Sequence, residues 1–265
     1  MSADADSMTF DLHVHTMASY DSVSDPRRVL QHAKRAGLSG LAITDHDTVR
    51  LAIRSVPIAR DLGLLLIPGT EIKTDVEDVL ALFVEEDVRA NTFVEVIEEI
   101  HAQGGLALLA HPFRHGGRAE EAHASLVDLV EGQNARYGWH RGYKSNARAR
   151  GLARSVGRPL SAGSDAHTYA EIGRARLRVP HCSNLEEVRK RLLDGSATVE
   201  GTESGPGREV LGQLVKSVKL RRLDVFGMTI ARALIITSLR LRGLMHEEGA
   251  YERAVGRLRD QYRSI

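Results

Sequence analysis

Short apolar runs alternate along the chain with longer stretches in which apolar residues recur at helical spacing. The runs are DLHVH (11–15), GLAITDH (40–46), LLLIPGTE (64–71), VLALFV (79–84), LALLAHP (106–112), LVDLVEG (126–132) and PLSAGSDAH (159–167). Runs of this length, bounded by turn residues, predict buried strands. Between the first two, Asp25 supplies an N-cap, Pro26 the first helical position and Gly37 the stop. Asn91 is placed to cap a helix ending near Gly104-Gly105, and 144–156 reads as another helix closed by Gly157. Asn184 with Glu187 has the spacing of a capping box, opening a helix that ends near Gly195. Strand, helix and strand repeated about seven times predict a parallel sheet with helices outside, and a closed barrel fits the count. An open doubly wound sheet is the alternative, weakened by the lack of a dinucleotide fingerprint or P-loop.

Gly205-Pro206-Gly207 interrupts the alternation and predicts a boundary between a barrel at 9–204 and a helical extension at 205–265. Beyond it Val210, Leu211, Leu214, Val215 and Val218 share one helical face, and Tyr251, Ala254, Val255, Leu258 and Tyr262 share another.

Composition narrows the classes. The 265 residues are 42% hydrophobic, enough for a large core, and the formal net charge of +1 argues against wholesale binding to a polyanion. That balance hides an asymmetry, because residues 205–265 hold 12 Lys/Arg against 6 Asp/Glu and leave the preceding segment net negative. Cys182 is the single cysteine, which excludes an internal disulfide and any cysteine-based zinc motif. The first residues have neither a basic nor an apolar region, so no signal peptide is expected. The most apolar stretch, 225–244, is broken by Arg232, Arg240 and Arg242, so no membrane span is expected and a cytoplasmic protein is the default.

The candidate chemistry lies in where histidines and carboxylates fall. His13 and His15 close the first run, His46 the second, Glu71 the third, His111 the fifth, and Asp165 with His167 the seventh. In a parallel barrel these positions share one rim, the carboxyl ends of the strands, where such folds keep their active sites. Residues two apart on a strand point to one face, so His13 and His15 can grip one ion, and Asp165 with His167 repeat the spacing. A lone strand-end histidine is more often a core or loop residue than a ligand. Five histidines and two acids converging on one rim are hard to obtain from core packing. The other histidines (His32, His101, His115, His123, His140, His181 and His246) read as surface or helix residues. Mixed imidazole and carboxylate donors suit Zn²⁺, Mn²⁺ or Fe²⁺. These donors are too many for one tetrahedral site, so at least two divalent ions are expected. Paired ions lower the pKa of bound water from ~15.7 toward ~7 and neutralise charge on the nucleophile and leaving group.

DLHVHT, ITDHDT, the glutamate of GTE, AHP and GSDAH, in this order and spacing, resemble the PHP (polymerase and histidinol phosphatase) domain over about residues 9–200. The resemblance implies a distorted seven-stranded (β/α) barrel with up to three divalent ions, usually hydrolysing phosphate esters. Carried over by position, it implies a first ion on His13, His15, Glu71 and Asp165, and a second on Asp21, His46 and His167. A third would sit on His111 and a bridging Glu71, with His15, Glu71, Asp165 and His167 as the catalytic set. Where the family often supplies a further histidine to the third ion, this chain has Asp78, also a candidate ligand.

Weaker signals complete the reading. Arg114 and Arg174 near the rim are candidates for phosphate oxygens, and Asn134 after the sixth run for substrate; water-facing arginines and a loop-turning asparagine are the plainer alternatives. Asp45 and Asp47 flank His46 and are placed to orient it or to cap the next helix. Cys182, just before a helix start, is a candidate for a mildly depressed pKa, with an inert thiol as the plainer reading. A phosphoesterase acting on a small phosphorylated substrate is the leading expectation, with weak nucleic-acid contact through the basic C-terminal helices. Two alternatives remain. An amidohydrolase would bring a bridging lysine at a strand end, where this chain has none, and a non-catalytic PHP module would have lost ligands that this chain keeps.

Overall fold

The structure is a computed structural model that describes residues 7–114, 119–136, 144–204, 206–243 and 253–254. Among them are nine strands: β1 (Ser7–Val14), β2 (Gly40–His46), β3 (Leu65–Ile72), β4 (Val79–Leu82), β5 (Leu106–Leu109), β6 (Leu129–Asn134), β7 (Leu160–Gly163), β8 (Ala175–Pro180) and β9 (Thr198–Gly201). The helices are α1 (Pro26–Arg35), α2 (Arg50–Asp61), α3 (Phe93–Ala102), α4 (Glu121–Ala124), α5 (Ser145–Ser155), α6 (Leu185–Leu193), α7 (Pro206–Lys219) and α8 (Leu223–Leu241).

All nine strands join one sheet in the order β7-β6-β5-β4-β3-β2-β1-β8-β9. The sheet nearly closes. β8 pairs with only the first half of β1, from Ser7 to Phe10. The free second half meets the segment after β7, where Val14 and Ala166 form a parallel bridge. The His15 amide donates to Ala166 O at 2.9 Å, and the Ala166 amide to His13 O at 3.3 Å. A barrel-like α/β sheet is therefore present, but with nine strands where seven were expected, and it is mixed. β4 runs antiparallel to both β3 and β5. Only residues 73–78 link β3 to β4, too few for the crossover that a parallel neighbour requires. β8 and β9 escape a search for continuous apolar runs because β8 alternates buried Ala175, Leu177 and Val179 with half-buried Arg176, Arg178 and Pro180.

Helix boundaries follow local chemistry. The Asp25 side chain accepts the Arg28 amide to start α1, and Gly37 leaves it at φ 75°. Asn184 accepts the Glu187 amide as the expected cap of α6, while Glu187 reaches one residue further back, to the Ser183 amide. α3 starts one residue later than expected, with Thr92 at its N-cap. α2, with Pro57 inside it, was not marked by the sequence punctuation.

Two apolar layers lie on opposite faces of the sheet. Leu80, Leu82 and Leu108 join Phe10, Ile67 and the α6 residues Val188 and Leu192. Their strand neighbours Val79, Ala81 and Leu109 join Leu30 of α1, Ala59 of α2, Ile100 of α3 and Ala153 of α5. Each such leucine, fully buried, contributes about 1.5–3 kcal/mol. α7 and α8 share a much smaller cluster, in which only Val210 and Ile236 are buried. Leu211 and Val218, expected on a packed face, are largely exposed. The expected face at Tyr251, Val255, Leu258 and Tyr262 lies outside the described residues, as do His115, His140 and His246. Among the described residues no helix is long and apolar enough to cross a membrane.

Candidate metal centre

His46 ends β2, and His13 and Glu71 each lie one residue from the ends of β1 and β3. His15, His111, Asp165 and His167 follow just beyond β1, β5 and β7, so all seven gather at one rim as the spacing predicted. Glu71 sits among the histidines: its Oε2 lies 3.1 Å from His46 Nδ1, 3.3 Å from His15 Nε2 and 3.5 Å from His13 Nε2. Its Oε1 lies 3.0 Å from His111 Nε2. Asp165 Oδ1 is 3.4 Å from His15 Nε2 and 3.3 Å from His167 Nδ1. Asp21 Oδ1 is 3.1 Å from His167 Nε2 and 3.4 Å from His46 Nε2. Ligand atoms lie within 4.8 Å of one another in four groups: His15–His46–His167, His13–His111–Asp165, His13–His15–Glu71 and Glu71–Asp78–His111.

The donor chemistry fits cations. Glu131 Oε1 accepts from His13 Nδ1 at 3.1 Å, and Asp165 O from His167 Nδ1 at 2.9 Å. Ser19 Oγ donates to Asp45 at 2.7 Å and so accepts from His15 Nδ1 at 3.0 Å. These partners put each neutral ring's proton on Nδ1 and turn a lone pair outward from Nε2. The Nε2 atoms of His13 and His15 then face each other at 3.1 Å beside two carboxylates. Lone pairs so close repel unless a cation or proton lies between them. Asp21 Oδ1 is likewise buried without a well-aligned hydrogen bond.

The pKa shifts describe the same negative field. Burial opposes charge on His15, but its hydrogen bonds to Asp165 and Glu71 prevail and raise it to about 9. Burial opposes charge on His13 too, and the fields of Asp165, Glu131 and Glu71 prevail, raising it well above the usual value. Burial pushes Glu71 up, yet His13 and His46 hold it well below the carboxylate range. Asp165 and Asp21 are also held low against burial, chiefly by His13 and by His167 respectively. His167 is lowered, by burial and by the Arg136 cation.

Behind the ligands stands a set of supporting residues. Glu131 is buried, and besides holding His13 it accepts the His111 amide at 2.8 Å and Asn134 Nδ2 at 2.9 Å. Asp45 acts on His15 through Ser19 rather than on His46: it takes the Thr16 amide at 2.6 Å, Thr16 Oγ1 at 2.5 Å and the Ser19 amide at 3.2 Å. Asp47 reaches φ 57° immediately after His46. His111 and Asp165 also hold left-handed backbone, at φ 27° and 52°, conformations that cost a non-glycine residue about 1–3 kcal/mol. Gly163 is required here, since a Cβ would lie 2.2 Å from the Cβ of His13. Tyr20, also unforeseen, stacks on His46 with centroids 4.4 Å apart.

The remaining candidates divide. Asp78 reaches the rim, with Oδ2 at 3.9 Å from His111 Nε2 and 3.1 Å from Arg114 Nη1. Asn134 is buried, with its amide nitrogen on Glu131 and at 3.5 Å from Asp165, so it braces the ligands. Arg174 begins the turn into β8 and donates to Ala170 O at 3.3 Å; no described contact brings it to the cluster. Burial raises the Cys182 thiol, in keeping with the plainer reading of an inert thiol rather than a depressed pKa.

A near-closed α/β barrel with imidazoles and carboxylates buried at its strand ends defines the class of metal-dependent hydrolases. Within that class the chain belongs to the PHP domain family, whose model matches residues 11–195. An uncharacterized protein of Methanocaldococcus jannaschii is 37% identical over 117 residues, which are 40% of this chain and 68% of that protein. A 5'-3' exoribonuclease of Haemophilus influenzae is 38% identical over 68 residues, 26% of this chain and 24% of the enzyme. A solved two-domain protein of Bacteroides vulgatus, described as containing a predicted PHP-like metal-dependent phosphoesterase, has the same fold. The TM-score is 0.64 at 18% identity, over 74% of this chain and 65% of that one.

Proposed function

We propose that this chain hydrolyses phosphate mono- or diesters of nucleotides or small metabolites, using two or three divalent ions. The observation that carries the reading is the sharing of Glu71, whose two oxygens face His13, His15 and His46 on one side and His111 on the other. One carboxylate placed between adjacent donor groups suits closely spaced ions. His13, His15, Glu71 and Asp165 would hold the first, Asp21, His46 and His167 the second, and Glu71, His111 and Asp78 a third. When bound, such ions acidify water and neutralise phosphoryl oxygens. With Asp78 in the imidazole's usual place, the third position favours a harder ion such as Mn²⁺ over Zn²⁺.

The chain's own groups then have defined tasks. Glu131, Ser19 and the Asp165 carbonyl fix the tautomers of three histidines, so the ligand lone pairs need no reorganisation. Arg114 stands at the mouth with its guanidinium on Asp78, placed to take a phosphate oxygen beside the ligands. Purified protein reconstituted with Mn²⁺ or Zn²⁺ and screened against phosphomonoesters and diesters tests the reading. Release of phosphate or nucleotide is expected. Protein that holds two ions yet hydrolyses none of these esters, while opening an amide or other C–N bond, would overturn it in favour of the amidohydrolase alternative.

A further inference from the structure

The matched family segment ends at residue 195, but the ligand cluster is braced from beyond it. Lys219, the last residue of α7, directs its ammonium at three backbone carbonyls: Met17 O at 2.9 Å, Ser19 O at 2.7 Å and Ser22 O at 2.9 Å. An ammonium has three N–H donors, and all three are used on one turn. That turn, 17–22, carries Ser19 behind His15, Tyr20 against His46, and Asp21 between His46 and His167. One turn of helix earlier, Lys216 places its own ammonium 4.4 Å from the centre of the Tyr20 ring.

Three carbonyl dipoles converging on one point repel unless a cation sits among them. Ser22 and Ser24 tie the far side of the turn to His167 O at 3.0 and 3.1 Å. These bonds hold the turn to the barrel without gathering the carbonyls on either side of Asp21. We propose that Lys219 is a positioning residue for the second metal subsite, holding the 17–22 turn so that Asp21 meets His46 and His167. On this view α7 is a working part of the centre, although it lies outside the domain shared with the family. The inference rests on the metal-centre reading and is independent of which ester is cleaved.

Mn²⁺ alone is the probe, with free ion counted by electron paramagnetic resonance during titration of the metal-free full-length protein. In Lys219→Met, the ion class lost in Asp21→Asn should weaken by about 10–100-fold, the usual effect of removing a ligand's hydrogen-bonding support. The remaining ions should bind as in the unaltered protein. Lys219→Arg, which keeps the charge and N–H donors, should recover part of the loss. The double variant Lys219→Met/Asp21→Asn should bind no worse than Asp21→Asn alone, because the lysine acts through the aspartate. Binding unchanged in Lys219→Met would overturn the proposal. So would equal weakening of every ion class with a lower melting temperature of the metal-free protein, the signature of a helix staple. Failure of the unaltered protein to bind Mn²⁺ at all would instead remove the metal-centre reading.

Discussion

The barrel and the C-terminal helices are held by different forces. Strands β1 to β9 and helices α1 to α6 enclose two extensive apolar layers, with Phe10, Leu12, Ile43, Leu80 and Leu108 fully buried. Among the described residues, the apolar side chains that α7 and α8 bury are Val210 and Ile236, and the helices meet the barrel through polar contacts. Gly212 sits where a Cβ would be 2.2 Å from Arg136 Nη2, and that guanidinium donates to Arg208 O at 3.4 Å. Arg136 is itself buried against Glu171, which also accepts the His167 and Thr168 amides. Burial of apolar area gives stability that salt scarcely alters, whereas contacts made by charges place groups accurately but give up little area. The barrel supplies permanence, and the helices supply adjustment of one turn at the rim.

The largest effect should separate chemistry from fold. Asp165→Asn or His15→Ala should lower turnover by orders of magnitude, while the circular dichroism of the metal-free protein keeps the strand and helix signal of the unaltered chain. More than about a tenth of the activity remaining would mean that the rim ligands are not the catalytic set.

Next in size is the difference in stability between the two regions. Leu108→Ala should cost about 2–5 kcal/mol in urea unfolding. Ile236→Ala should leave the barrel transition in place and accelerate hydrogen exchange only in α7 and α8. A single transition shifted equally by both substitutions would show the two regions to be one cooperative unit.

A smaller effect should appear with pH. In the metal-free protein His15 is raised to about 9 and His13 is raised as well, so their stabilising contribution is complete below the usual 6.5 and fades as pH rises through about 9. The melting temperature of metal-free protein should therefore fall over that window, and that of loaded protein should not. At neutral pH metal uptake should release protons, seen as a binding heat that depends on the buffer. Heats identical in buffers of different ionisation enthalpy would contradict the raised values.

The smallest effect concerns the basic helices. If Arg221, Arg222, Arg240 and Arg242 contact a nucleic acid, short single-stranded oligonucleotides should bind weakly at low salt and release as salt rises. Charge-reversal at these arginines should reduce binding without altering hydrolysis of a small phosphate ester. Binding indifferent to salt would leave the helices with their positional role alone.

The ligands were legible because strand ends concentrate them: an acid or histidine closing an apolar run has few other reasons to be there. The same logic extends to Glu131, a charge inside the apolar run 126–132, which was a signal passed over. Ser19, Tyr20 and Lys219 offered no comparable sign, since their roles depend on contacts between distant parts of the chain. β4 was placed correctly but its direction was misread, because an apolar run does not reveal its sense; the short link from β3 does. Arg174 looked near the rim in sequence, yet the turn into β8 carries it to the Ala170 carbonyl.

The bridge between Val14 and Ala166 has a further consequence. Val14 is flanked by His13 and His15, and Ala166 by Asp165 and His167, so the seam of the ring and its ligands are interleaved. An ion gripped from both sides would cross-link the first and seventh strands, tying together chain segments separated by most of the barrel. Such a clasp excludes open arrangements in much the way a disulfide does, in a chain that has a single cysteine. Metal scarcity would leave the seam to its two backbone hydrogen bonds, whose opening exposes the edges of β7 and of the second half of β1. Unpaired strand edges are templates for pairing with other chains. Solubility during metal starvation would then depend on the same histidines proposed to serve the chemistry.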